Sequence, residues 1–169
     1  MRFSVALDID DVLAQFYPAM CRRFGMPCKR FNIWDGEGEA IAVAQNFYII
    51  ENSRNFWLNL EKESRPEDID FNVDYYLTSS PPMMKGYRKN WLTQHGFPEA
   101  PVISTFDKVS EMRKRNIDVL VDDKPATLEE VKKNGFIPIQ YVPSYMSDIR
   151  DHLNPIRHLS QVPEVLGRL

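Results

Sequence analysis

Short apolar runs alternate with amphipathic stretches along most of this chain. RFSVALD (2–8), VDYYLT (73–78), PVIST (101–105), IDVLVD (117–122) and FIPIQYV (136–142) are nearly continuous apolar segments of strand length. Such runs are expected of strands buried on both faces, as in a parallel sheet. Helical patterns lie between the later ones. KGYRKNWLTQHG (85–96) ends in a glycine stop, DKVSEMRKRN (107–116) is polar and amphipathic, and PATLEEVKKNG (125–135) has proline at its start and glycine at its end. Proline suits the first turn, where its missing N–H has no partner to lose, and glycine suits the exit. Strand alternating with helix predicts an α/β fold with helices on both faces of a parallel sheet.

Residues 14–72 break this rhythm. AQFYPAMCRRFG (14–25) predicts one helix. The stretch from 31 to 60 is rich in aromatics and helical in period, and ESRPEDIDFN (63–72) leads back to the second strand. The block reads as a helical cap inserted after strand one, dividing the chain into a core of 1–13 and 73–169 and a cap of 14–72. The last stretch, NPIRHLSQVPEVLGRL, predicts a loop and a short closing helix.

Composition narrows the class without naming it. The chain has 169 residues, 43% of them hydrophobic and 27% charged, which is ordinary for one globular domain. The formal net charge of −3 offers no basic footprint for duplex nucleic acid. No window approaches the roughly 20 apolar residues of a membrane span, and the N-terminus has no signal-like apolar region. A cytoplasmic protein is the expectation. Cys21 and Cys28 make a poor zinc site and read as incidental thiols. His95, His152 and His158 are scattered and read as surface or capping residues.

The candidate chemistry begins in VALDIDDVLA (5–14), where an apolar run meets Asp8, Asp10 and Asp11. In parallel sheets, ligands sit beyond the carboxyl ends of the strands. Asp8 and Asp10 end strand one, Thr78 and Ser79 end strand two, Lys108 opens the helix after strand three, and Asp122 and Asp123 end strand four. If the chain stays extended, Asp8 and Asp10 point the same way and join Asp122 and Asp123 in a cluster of four carboxylates. Such a cluster is costly unless a cation neutralises it. Oxygen-only donors with room for water and phosphate suit Mg²⁺. With Lys108 and a hydroxyl they form a phosphate-handling set.

The order of these motifs resembles the haloacid dehalogenase superfamily. DVLAQF, NFWLNLE, LTSSP, YRKNWLTQHG and DKVSEMRKRNIDVLVDDKP are further similar to the 5'(3')-deoxyribonucleotidases and their bacterial and phage relatives. The resemblance implies a three-layer Rossmann-like core, a small helical cap after strand one, Mg²⁺ as cofactor and a nucleoside monophosphate as substrate. Homodimers are common in the superfamily. It implies Asp8 as nucleophile and Asp10 as general acid and base. Mg²⁺ would sit on the Asp8 side chain, the Asp10 carbonyl and at least one of Asp122 and Asp123. Thr78, Ser79 and Lys108 would hold phosphoryl oxygens. The family usually has glycine where this chain has Asp11.

Other readings stay open at some positions. Asp11 can simply cap the following helix. Lys85 and Lys124 either touch substrate phosphate or lie on the surface. Phe16 and Trp34 either stack on a base or fill the core of the cap. The reaction itself has neighbours: another small phosphomonoester, such as a sugar phosphate, or a 3'-phosphate end of nucleic acid. A phospho-receiver domain uses a similar set of residues, but there the lysine follows the acidic pair, and here it precedes it. Intact Asp8 and Asp10 speak against a mere binding module.

Overall fold

The computed structural model describes residues 2–25 and 53–168. Five strands, β1 (Val5–Leu7), β2 (Tyr75–Thr78), β3 (Val102–Ser104), β4 (Val119–Asp122) and β5 (Ile137–Gln140), form one sheet in the order β3-β2-β1-β4-β5. Every pairing is parallel. The helices are α1 (Phe16–Phe24), α2 (Arg54–Leu58), α3 (Lys85–Gln94), α4 (Lys108–Arg115), α5 (Pro125–Lys133) and α6 (Val162–Leu166). All five expected strands are present, as are the helices expected within 14–25, 85–96, 107–116, 125–135 and at the C-terminal end. Residues 26–52 of the expected cap, with Trp34 and Cys28, lie outside the described residues.

Alternation along the strands explains the layers, because successive side chains point to opposite faces. Val5 and Leu7 of β1, Tyr76 of β2, and Val119 and Val121 of β4 enter one apolar cluster with Tyr17, Met20, Trp57, Trp91 and Val162. Ala6, Leu77 and Leu120, the alternate positions, enter a second with Val109, Met112, Leu128 and Val131. α1, α2, α3 and α6 thus cover one face, and α4 and α5 the other. Both faces of β1 and β4 are sealed, which is why these strands read as unbroken apolar runs. Among the described residues no helix is long and apolar enough to cross a membrane.

Local chemistry sets the ends of the helices. The Asp107 side chain accepts from Ser110 N at 2.9 Å and caps α4 at its start. α5 opens on Pro125, and the turn beyond it uses Gly135 at φ +83°, a conformation glycine adopts without steric penalty. His158 caps the short 3₁₀ turn Leu159–Gln161, and His152 pairs with Glu129, in line with the bland reading of both histidines.

Two features aim the site. The chain enters the sheet at its centre, and the strand order reverses between β1 and β4, so the crevice at their carboxyl ends is the topological switch point. The insertion also leaves and rejoins the core side by side. Ala14 and Lys62 form an antiparallel bridge, flanked by Gln15 N to Glu61 O at 2.9 Å and Glu63 N to Leu13 O at 2.7 Å. This narrow ribbon rises just beyond the end of β1.

Leu120 is fully buried in a central strand, so Leu120→Ala should destabilise the protein by about 2–5 kcal/mol in urea unfolding. Phe106→Ala, at a side chain 76% exposed, should change stability by no more than about 0.5 kcal/mol.

Candidate active site

One residue beyond the last registered pair of β1 and β4, Leu7 with Val121, the two strands carry Asp8 and Asp122. The Asp8 amide still donates to Val121 O at 2.9 Å. Both carboxylates therefore lie astride the switch point, and Asp123 follows. One oxygen from each of Asp8, Asp122 and Asp123 lies within 4.8 Å of the others, and all three residues are buried. Lys108, the first residue of α4, is also buried. Its Nζ donates to Asp122 Oδ2 at 2.6 Å and lies 3.1 Å from Asp8 Oδ1. The second contact is an ion pair without hydrogen-bond alignment, which leaves Asp8 Oδ1 without a donor among the described residues.

Three carboxylates face one ammonium, and the titration behaviour follows. Burial pushes Asp8 up from 3.8 to about 7; Lys108 opposes this, and Asp122 and Asp10 add to it. Asp123 is driven well above the ordinary carboxylate range by burial and then by Asp11, Asp122 and Asp8. Burial alone would push Lys108 down, but the charges of Asp122 and Asp8 hold it above its usual value. A divalent cation would relieve this crowding. The residues fit one: the donors are all oxygen, and Asp8 Oδ1 and Asp123 Oδ2 are buried without a hydrogen-bond donor among the described residues. The two acids of the pair differ. Asp122 spends Oδ2 on Lys108 and Oδ1 on the Lys124 amide at 2.8 Å, whereas Asp123 keeps Oδ2 uncommitted.

The expected cluster of four carboxylates is a cluster of three. β1 ends at Leu7, and the chain then turns tightly: Leu13 N and Ala14 N both donate to Ile9 O, and Asp10 bridges to Ala14. The strand alternation that would align Asp10 with Asp8 has ended. Instead the Asp10 carboxylate is engaged by Arg88 of α3. Asp11 stands at φ +56°, in the left-handed region that glycine fills most readily. It also takes a capping role, accepting from Tyr17 N at 2.9 Å in the first turn of α1, and from the Tyr145 hydroxyl at 2.7 Å. It is fully buried, and burial holds its pKa well above the ordinary range despite these donors.

The remaining expected residues divide. Thr78 ends β2, fully buried, with Oγ1 unpartnered among the described residues; a hydroxyl left over here suits a phosphoryl oxygen. Ser79 is exposed, and its buried neighbour Ser80 ties to Ser104 Oγ at 3.2 Å. Lys85 and Lys124 are exposed, at the starts of α3 and α5. Phe16 stacks on Trp57, centroids 5.7 Å apart, and meets Phe56 edge-on, so aromatic neighbours already occupy part of its surface. Trp34 lies outside the described residues.

Arg88 and Tyr145 were not singled out from the sequence. Arg88 had a signal: with Met84, Trp91 and Leu92 it falls at the i, i+3, i+4 spacing of one buried helix face, where a charge needs a reason. Tyr145 lies in an irregular segment beyond β5 and had none.

For a group whose folded pKa is raised, stability is greatest below the unfolded value and is lost as pH rises through the folded one. The metal-free protein should therefore lose stability between about pH 4 and pH 7, the window spanned by Asp8. Mg²⁺ should raise Tm by an increment that grows across the same window. Thermal unfolding at pH 5 and pH 8, in EDTA and in excess Mg²⁺, checks this; no increment at pH 8 would mean the carboxylates hold no cation.

No family model and no curated protein sequence matches the chain. Among solved structures it is similar to the 2-haloacid dehalogenase from Pseudomonas syringae pv. Tomato DC3000, with a TM-score of 0.54 and 17% identity over 99% of each chain. The shared feature is the fold: this chain has the Rossmann-like α/β architecture of a haloacid dehalogenase.

Proposed function

We propose that the protein is a Mg²⁺-dependent phosphomonoester hydrolase working through an aspartyl-phosphate intermediate. The observation that carries this reading is the buried triad of Asp8, Asp122 and Asp123 at the switch point, with Lys108 between Asp8 and Asp122. An oxygen-only donor set beside a lysine and an unpartnered hydroxyl suits a phosphoryl group better than a neutral substrate. The substrate we favour is a (deoxy)nucleoside monophosphate, supported by the sequence likeness around LTSSP and VLVDDKP. Phe16 and Trp34 are the candidates for contact with a base, and Lys85 and Lys124 for a second contact with phosphate. The partner we favour is a small phosphorylated molecule; the formal net charge of −3 offers no basic footprint for duplex nucleic acid.

In this mechanism an Asp8 oxygen attacks phosphorus as the bond to the leaving oxygen breaks, and Asp10 gives its proton to the departing alkoxide. Water then attacks the same phosphorus and passes a proton to Asp10. The bond to Asp8 breaks and phosphate leaves. Lys108 and Thr78 hold phosphoryl oxygens as charge develops on them. Mg²⁺, held by Asp8, Asp123 and the Asp122 side of the cluster, would supply charge neutralisation at phosphate.

Phosphate release from 5'- and 3'-(deoxy)nucleoside monophosphates and sugar phosphates, with Mg²⁺ and with EDTA, tests this reading. Mg²⁺-dependent release that prefers deoxynucleotides is expected, and Asp8→Asn should lower it by at least about 10⁴-fold, the scale on which loss of a nucleophile acts. Release from other monophosphates alone would keep the mechanism and remove the nucleotide. Halide release from a 2-haloacid without phosphate release would replace the reading with the chemistry named for the structural neighbour.

A further inference from the structure

Arg88 belongs to no role assigned above. It is fully buried on α3, donates through Nη2 to Asp10 Oδ1, and sets its guanidinium 4.7 Å from the centre of the Trp57 ring in α2. Its Nε and Nη1 have no hydrogen-bond partner among the described residues. A guanidinium buried with two idle nitrogens costs more than the methionine or leucine that its helix face would otherwise carry. Its retention calls for a purpose at the one acid it reaches.

We propose that Arg88 is a positioning residue for Asp10. Held against the indole of Trp57, it occupies Asp10 Oδ1 and leaves Oδ2 as the oxygen that exchanges protons with the reacting group. This rests on the reading of Asp10 as the proton-transfer residue. Asp10 needs such a support. It sits in a tight turn after β1, its side chain is 20% exposed, and it lies outside the carboxylate triad. Left alone, its carboxyl group would rotate. A proton transfer requires heavy atoms within about 2.6–3.2 Å, and a displacement of about 1 Å can lower a rate about 10²-fold. A planar guanidinium on an aromatic face is a stiffer support than a flexible ammonium. The support also crosses from core to insertion. Phe16 stacks on Trp57, and Trp91 of α3 donates through Nε1 to Leu60 O at 2.9 Å. The packing of α1 and α2 is thereby linked to the orientation of Asp10.

Four variants test this in the Mg²⁺-dependent phosphate-release assay: Arg88→Met, Arg88→Lys, Trp57→Phe and Trp57→Leu. Arg88→Met should lower kcat about 10²-fold with little change in KM, and Arg88→Lys should recover part of the loss. Trp57→Leu, which leaves Arg88 in place without its aromatic support, should lower kcat less, and Trp57→Phe less still. The gain in Tm on adding Mg²⁺ should remain in every folded variant, because the triad is intact. Arg88→Met with unchanged kcat overturns the inference. So does a rise in KM at constant kcat, which would make Arg88 a substrate ligand. If Arg88→Met does not fold, Arg88→Lys and Trp57→Leu decide, and wild-type kcat in both overturns the inference. A wild-type protein that releases phosphate beside an equally active Arg88→Met sinks this inference alone; a wild type that releases none sinks the phosphatase reading with it.

Discussion

Everything at the carboxyl edge of the sheet depends on one ammonium group among three buried carboxylates. Asp8 and Asp122 come from neighbouring strands, and their charges would force those strand ends apart if nothing lay between them. Lys108 reaches both. It can do so because α4 begins at that point, with Asp107 capping the first turn and the lysine side chain emerging from the first helical residue. The contact is partial by design of charge: one cation for three acids leaves an electrostatic deficit that a divalent ion and a phosphoryl group are suited to fill in opposite senses. A fully neutralised cluster would be more stable and would have no reason to bind anything.

Behind that cluster lies a second polar layer that holds the turn carrying Asp10. Asp11 takes a left-handed conformation where the chain bends away from β1, and Tyr145, arriving from the segment after β5, donates to it. Burial and the nearby charges of Asp11 and Glu63 raise the Tyr145 pKa, so its hydroxyl stays protonated as a donor. Glu63, in the returning arm of the ribbon, accepts from Gln15 in the departing arm at 3.1 Å, and Ser64 Oγ donates to Val12 O at 2.6 Å. The turn that carries Asp10 is therefore tied to the sheet, to the C-terminal segment and to both arms of the insertion. Buried polar groups this numerous are expensive unless satisfied, and here most of them spend their hydrogen bonds on fixing one loop.

Much of this was legible along the chain, residue by residue. Asp8, Lys108, Asp122 and Thr78 could be read as candidate site residues because each stands where an apolar strand run ends or the next helix begins. The position of Asp10 differs from the expected one because strand alternation does not run the three residues from the end of β1 at Leu7 to Asp10. Ser79 drew attention over Ser80, since adjacent serines look alike until one is buried. Arg88 left a partial trace, a charged residue on an apolar helical face. Tyr145 left none, because its partner is 134 residues away and its own segment has no period.

The sequence by itself determined the elements. Apolar runs, helix caps, and the prolines and glycines at helix ends act over a few residues, so five strands and the helices between them follow from local burial and backbone preference. Only the tertiary structure decided the order β3-β2-β1-β4-β5, and with it that β1 lies against β4 and brings Asp8 to Asp122. Only the tertiary structure, too, brought Asp10 to Arg88, across 78 residues of chain. The physical reason is range. Periodicity records which face of an element is buried, but the partner that buries it, and the charge it meets there, are set by contacts between segments with no memory of one another in the linear chain.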